Sequence, residues 1–203
     1  MNTQINILRK LFICIVLIGL VFNNAQAQML HLENENSFLT VFGSSNLHGW
    51  KVDANTKNGL ISFNNLQTCD IESLTFAVLT ESLKGAKPGI TSTAAKALKA
   101  DKYKSILYSL VEVKNVIDKG NGVFELETLG DLVIAGTKKT IPLNFNVAIS
   151  GQKVTLNGKV QLKLTEFNIT PPTGMLGAVQ AKDDVFVKFE TSFINNNLVN
   201  NIL

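Results

Sequence analysis

Residues 141–149 read Ile-Pro-Leu-Asn-Phe-Asn-Val-Ala-Ile, and every second residue of this stretch is apolar. The apolar set is Ile141, Leu143, Phe145, Val147 and Ile149, with Pro, Asn and Ala residues between them. Successive side chains of an extended chain point to opposite faces. The stretch therefore predicts a β-strand with one dry face and one wetter face.

The same period of two recurs in two later stretches, residues 160–164 and residues 185–189. Several amphipathic strands in one chain must bury their dry faces against one another, either as a two-sheet sandwich or as a closed barrel. One segment departs from this pattern: residues 91–100 are rich in Ala, Lys and Leu and follow Pro88-Gly89. These are good helix formers, so we predict an all-β chain with one short helix at about residues 91–100.

The first 27 residues have the features of an export signal. Arg9 and Lys10 precede an apolar run at residues 11–22, and Ala25-Gln26-Ala27 is a small-x-small cleavage site. We predict a signal peptide over residues 1–27, cleaved after Ala27, and a periplasmic or secreted protein without a transmembrane span after cleavage. The mature chain then consists of one domain at residues 28–195 and an Asn-rich, frayed tail at residues 196–203.

Charge and cysteine content exclude several classes of function. The chain has 19 basic and 16 acidic residues, and two of the basic ones lie in the signal, which leaves a mature net charge of +1. A nearly neutral domain has no electrostatic basis for binding nucleic acid. Cys69 is the only cysteine of the mature chain, so it has no intramolecular disulfide partner, and we interpret it as a small, half-buried residue at a turn.

Residues for catalysis or metal binding are few. The two histidines, His31 and His48, and one mature cysteine are too few for a zinc site, so we predict neither metal nor cofactor. A triad could be drawn from Ser44 or Ser45, His48 and a carboxylate, but the chain has no Gly-x-Ser-x-Gly motif. The favoured interpretation of His48 is a hydrogen-bonded imidazole beside Trp50 at a barrel rim.

Four blocks of sequence together resemble the YceI-like family of exported bacterial proteins. They are residues 43–50, residues 81–84 with 97–103, residues 130–139 and residues 162–173, in the family's order. The first block is similar to the Ser-x-Leu-His-Asp-Trp motif of Bacteroidetes-type members, with Gly49 in place of the acidic residue. The resemblance implies an extended, lipocalin-like antiparallel β-barrel of about eight strands. It also implies binding of polyisoprenoid lipids or similar amphiphiles.

From the resemblance and the apolar strand faces we expect a non-enzymatic protein that holds a long apolar ligand, an isoprenoid or a fatty lipid, in a barrel cavity. We predict that the cavity lining draws on Leu74, Phe76, Val78, Leu143, Phe145, Val147, Leu162, Leu164, Val187 and Phe189. We predict that Ser45, His48 and Trp50 lie at the cavity mouth, where polar groups would hold the head group.

Two alternatives remain open. One is a hydrolase that uses His48, and the other is an interaction or stress-related module whose barrel is filled by side chains and holds no ligand. The oligomeric state is also open, with a homodimer among the options.

Overall fold

The computed structural model describes residues 28–174 and 177–195, so the predicted signal and tail lie outside the described residues. The elements are β1 (Gln28–Leu32), β2 (Phe38–Ser45), β3 (Gly49–Ala54), β4 (Lys57–Asn65), β5 (Asp70–Leu79), β6 (Leu83–Gly85), α1 (Pro88–Ala97), β7 (Ser105–Gly120), β8 (Val123–Ile134), β9 (Thr137–Ser150), β10 (Lys153–Lys163), β11 (Thr173–Gly174) and β12 (Val179–Ile194). Thr80–Ser82 and Leu164–Phe167 form 3-10 turns.

Eight strands form a closed antiparallel barrel, as the sequence predicts. Their order around the barrel is β1-β4-β5-β7-β8-β9-β10-β12, and β12 pairs back onto β1. In that closing pair, His31 lies opposite Ile194 and Leu32 lies opposite Phe193. Closure removes the sheet edges that a sandwich would leave open, which decides between the two arrangements that the strand periodicity allows.

The remaining pairs lengthen the barrel beyond this ring. β2 pairs with β12, β3 pairs with β2, and β6 pairs with β3, all antiparallel. β1 and β2, β3 and β4, and β5 and β6 are therefore three long strands, each broken by a short irregular segment. Ser82 satisfies backbone groups at two of the breaks, because its hydroxyl accepts from the Thr56 N–H at 3.0 Å and donates to the Leu79 carbonyl at 2.7 Å.

The alternating residues of β9 face into and out of this barrel as their period predicts. Leu143, Phe145 and Val147 are buried, whereas Asn144 and Asn146 between them are exposed. Burial along β8 alternates in the same way, and the inward side chains of the barrel strands form one continuous apolar core. Burial of this core is the main favourable contribution to folding.

The two ends of the barrel differ in what covers them. The β4–β5, β7–β8 and β9–β10 hairpins lie at one end, where the inward side chains are packed together. The β2–β3 and β8–β9 hairpins, α1 and the segment between β10 and β12 lie at the opposite end. We call the first the filled end and the second the helix end.

The helix α1 confirms the predicted helical segment but begins three residues earlier, at Pro88, which occupies its first turn. Proline suits that position because its nitrogen has no N–H to leave unpaired. Thr91 does not cap the helix; its hydroxyl accepts the Gly85 N–H at 3.0 Å and ties α1 to β6. Ile90, Ala94 and Leu98 pack against the apolar residues of β3 and β6.

Candidate functional site

A cavity of about 230 Å³ lies inside the half of the barrel nearest the helix end. Its wall consists of inward side chains from the strands, together with Ala94, Ala97 and Leu98 around α1 and Phe167, Ile169 and Pro172 from the segment after β10. Almost all of these side chains are hydrocarbon. The arrangement can hold an apolar molecule and shield it from water.

Nine of the ten residues predicted to line a cavity lie on this wall; they are Leu74, Phe76, Val78, Leu143, Phe145, Leu162, Leu164, Val187 and Phe189. Val147 is the exception and corrects the prediction. It is fully buried, but it lies two residues beyond Phe145 toward the filled end of β9 and is not on the cavity wall. Contact of the other nine with a ligand stays a prediction.

The barrel is filled by side chains along only part of its length. Leu30, Ile61, Phe63, Leu126 and Val154 are each 0–1% exposed, and they close the bore toward the filled end. None of them lies on the cavity wall. The structure therefore combines the two interiors that the sequence left open, a solid core in one half and a cavity in the other.

Of the three residues predicted at the cavity mouth, only Trp50 lies on the cavity wall. Ser45 and His48 are not on the wall. The Ser45 hydroxyl is buried in the β2–β3 turn, where it donates to the His48 carbonyl at 2.9 Å and accepts the Leu47 and His48 N–H groups at 3.2 and 3.1 Å. The tight turn that these bonds create turns the exposed His48 side chain away from the cavity.

This geometry also bears on a Ser-His mechanism. The hydroxyl of Ser45 bonds to backbone groups, not to the imidazole of His48. Activation of a serine requires a base within hydrogen-bond reach of its hydroxyl. The described residues do not show that pairing at this turn.

Two glycines that the sequence analysis did not single out shape the wall. A methyl group placed on Gly43 would stand 2.1 Å from Cζ2 of Trp50, and one placed on Gly130 would stand 2.3 Å from the Tyr108 ring. The two aromatic rings therefore lie flat over the neighbouring strands. Sequence spacing carries a weak signal for this, because a glycine within a strand often marks a close approach of another group.

Tyr108 and Thr191 are the hydroxyl-bearing residues of a wall that is mostly hydrocarbon. Among the described residues, the Tyr108 hydroxyl has no well-directed hydrogen-bond partner. Burial raises the pKa of Tyr108, and the neighbouring Thr128 hydroxyl offsets part of that rise. The phenol is therefore neutral at physiological pH and adds no charge to the cavity.

Cys69 lies outside the cavity, at the turn before β5, with a φ of 55°. The sequence predicts a half-buried side chain, whereas the Cys69 side chain is 0% exposed and therefore fully buried. Burial, with a smaller contribution from Asp70, raises the pKa of the thiol to about 12. The neutral thiol acts as a small core residue and not as a nucleophile.

Three carboxyl groups near the helix end have a lowered pKa. Lys138 and then Thr140 lower the pKa of Asp131, each through a bond of 2.6 Å. The N–H and hydroxyl of Thr165 lower the pKa of Asp183. Lys163, followed by Gln161, lowers the pKa of Asp184. These bonds hold the segment after β10 and the β8–β9 hairpin in place around the cavity.

Within residues 28–174 and 177–195, no three His, Cys, Asp or Glu side chains come together in a way that could hold a metal ion. Within the same ranges, no helix has the length and apolar character needed to cross a membrane.

Comparison with known proteins agrees with this architecture. The family model for the YceI-like domain matches residues 30–193. BcnA of Burkholderia cenocepacia superposes with a TM-score of 0.64 at 17% identity, over 79% of this chain and 98% of that chain. A polyisoprenoid binding domain from Saccharophagus degradans, described as implicated in plant cell wall breakdown, superposes with a TM-score of 0.63 at 11% identity, over 83% and 99%.

The YCEI protein of Campylobacter jejuni gives a TM-score of 0.55 at 17% identity, over 70% of this chain and 82% of that chain. No curated protein matches the sequence significantly. At identities this low, the likeness to the solved structures shows a common fold.

Proposed function

The chain belongs to the YceI-like domain family, and from that premise we propose that it is a non-enzymatic binding protein for an isoprenoid or fatty-acid-like amphiphile. The ligand's apolar tail lies in the barrel cavity. The observation that carries this proposal is the hydrocarbon wall of the cavity, to which β-strands, α1 and the segment after β10 all contribute.

The chemistry of the wall selects the class of ligand. Each methylene group that leaves water for an apolar site contributes about 0.8 kcal/mol to binding. Lys163 is the charged residue on the wall, and its amine is half exposed and bonded to Asp184 at 2.9 Å. A charged head group would find no polar or charged partner deep inside the cavity, so it stays at the helix end, in water.

Two further points support the proposal. The structural relative from Saccharophagus degradans is itself described as a polyisoprenoid binding domain. The leader-like residues 1–27 fit an exported protein, and we propose that the mature chain works in the periplasm or outside the cell. An apolar carrier is useful there because its cargo is poorly soluble in water.

Lipid extraction from natively purified protein tests the proposal. We expect mass spectrometry of the organic extract to detect a co-purifying amphiphile. Addition of a prenol or fatty acid to delipidated protein should change the fluorescence of Trp50, the chain's single tryptophan, because its indole lies on the cavity wall.

Two neighbouring positions of β12 give a matched control. Val187 faces the cavity, whereas Phe186 is 50% exposed on the outer face. We expect Val187→Glu to abolish lipid retention and Phe186→Glu to preserve it. An extract free of lipid, together with no response of Trp50 to any added amphiphile, would overturn the proposed function.

A further inference from the structure

The inner end of the cavity is closed by phenylalanine rings that meet over glycines. A methyl group placed on Gly59 of β4 would stand 3.3 Å from Cε1 of Phe193 and 3.3 Å from Cδ2 of Phe76. Phe193 belongs to β12, and β1 lies between β12 and β4 in the barrel. Its ring therefore reaches past a whole strand and lies across the bore.

A second glycine receives rings from both of its neighbouring strands. A methyl group placed on Gly158 of β10 would stand 2.7 Å from Cζ of Phe189 and 3.0 Å from Cβ of Phe145. Both phenylalanines line the cavity and lie opposite Gly158 in the strand register. We call Phe76, Phe145, Phe189 and Phe193 the aromatic floor.

Packed side chains follow the aromatic floor toward the filled end, in the part of the barrel that the structure describes. Ile61 and Phe63 follow Gly59 on β4, and Val147 follows Phe145 on β9; each is 0–1% exposed, and none lies on the cavity wall. A ligand that enters from the helix end therefore meets a closed bore about halfway along the barrel.

The volume above the floor limits what can enter. The cavity measures about 230 Å³. An apolar cavity of about 150 Å³ accommodates the six carbons of benzene, so scaling by volume gives room for about nine to ten carbon atoms. Sites for drug-sized ligands begin at about 300 Å³.

We propose that the aromatic floor acts as a length stop, so that only the terminal segment of about ten carbon atoms of an apolar tail enters the barrel. The remainder of a longer tail, and its head group, leave at the helix end. This inference rests on the proposed function. It adds that the protein recognises the terminal segment of an apolar tail. Tails longer than about ten carbon atoms should therefore bind with similar affinity, whatever their total length.

A chain-length series tests the length stop. Delipidated protein is titrated with saturated fatty acids of six to eighteen carbons, and binding is followed by Trp50 fluorescence and by calorimetry. We expect affinity to rise about fourfold per methylene group up to about ten carbons and to stay level for longer chains.

Variants of β12 move the stop in opposite directions. We call the chain length at which the affinity stops rising the break. Phe193→Ala removes a floor ring and should shift the break to longer chains. Val187→Phe adds a ring above the floor and should shift it to shorter chains. Phe186→Ala makes the same chemical change as Phe193→Ala on the outer face of the same strand and should leave the break in place. If Phe193→Ala does not fold, Phe193→Leu and Val187→Phe still test the stop.

The outcomes separate the two proposals. If wild-type affinity keeps rising to eighteen carbons, or if neither floor variant moves the break, the length stop is overturned while the binding function stands. If no chain of any length binds, the proposed function fails, and the length stop fails with it.

Discussion

Single glycines determine where the aromatic rings inside this barrel can lie. At Gly43, the absence of a side chain allows the indole of Trp50 to lie against β2, directly opposite in the strand register. A methyl group at this position would stand 2.1 Å from the ring, so Gly43→Ala must displace the indole or open the β2–β3 pair. We expect a loss of about 1–3 kcal/mol in the free energy of unfolding and a shifted Trp50 emission spectrum.

A control at Gly89 separates this steric effect from the loss of glycine itself. A methyl group on Gly89, in the first turn of α1, would meet nothing within 4 Å. Gly89→Ala should therefore leave the emission unchanged and keep or slightly increase stability, because alanine loses less backbone entropy on folding. Urea denaturation of both variants provides the measurement, and a Gly43→Ala protein as stable as wild type would contradict the prediction.

At the scale of elements, the sequence predicted the strands well because their inward faces must be apolar. The alternation in residues 141–149 identified β9 and its buried face, and nine of ten predicted residues lie on the cavity wall. Alternation defines a face but not a depth along the bore, which is why Val147 was placed on the wall although it lies below the cavity.

Three other features are not contained in the alternation of apolar residues, because they depend on a helix start, a local turn and close contacts between neighbouring strands. The start of α1 at Pro88 moved the helix three residues from the predicted segment. The Ser45 bonds that turn His48 outward depend on the β2–β3 turn. The floor rings depend on glycines of neighbouring strands, such as Gly158 beside Phe189.

The helix α1 is attached to the barrel by few contacts, and Ile90 supplies one of the closest. Its side chain occupies the space over Gly85, where an added methyl group would stand 2.5 Å from Cγ2 of Ile90. Ile90 is only half-buried, so we expect Ile90→Ala to reduce the free energy of unfolding by about 1–2 kcal/mol, below the range for a fully buried site. Because α1 also lines the cavity, ligand dissociation should become faster.

Hydrogen exchange followed by mass spectrometry measures this effect by position. Peptides covering residues 86–98 should exchange faster in Ile90→Ala, while peptides from the filled end keep wild-type rates. Ile117→Ala, at an exposed position in β7, serves as the control and should alter neither α1 nor ligand release. Uniformly faster exchange throughout the barrel would contradict a local role for Ile90.

Across the whole molecule, the two halves of the barrel are stabilised by different interactions. Low pH should therefore destabilise the helix end before the filled end. The filled end is held mainly by apolar packing, which does not titrate. At the helix end, hydrogen bonds and ion pairs lower the pKa of Asp131, Asp183 and Asp184. A carboxyl group whose pKa is lower in the folded state stabilises the fold above its unfolded value of about 3.9. That contribution is lost as the pH falls through the folded value.

We therefore expect hydrogen exchange at pH 3 to increase first around residues 131–140 and 163–169, with residues 122–126 and 147–156 as the internal reference. Bound ligand should be released over the same pH range, because these segments border the cavity. Asp183→Asn removes one of the three titrating groups, so it should weaken the pH dependence near Thr165 while the effect at Asp131 persists. Equal acceleration at both ends of the barrel would show that acid unfolds the molecule as one unit, and the division into two differently stabilised halves would then be wrong.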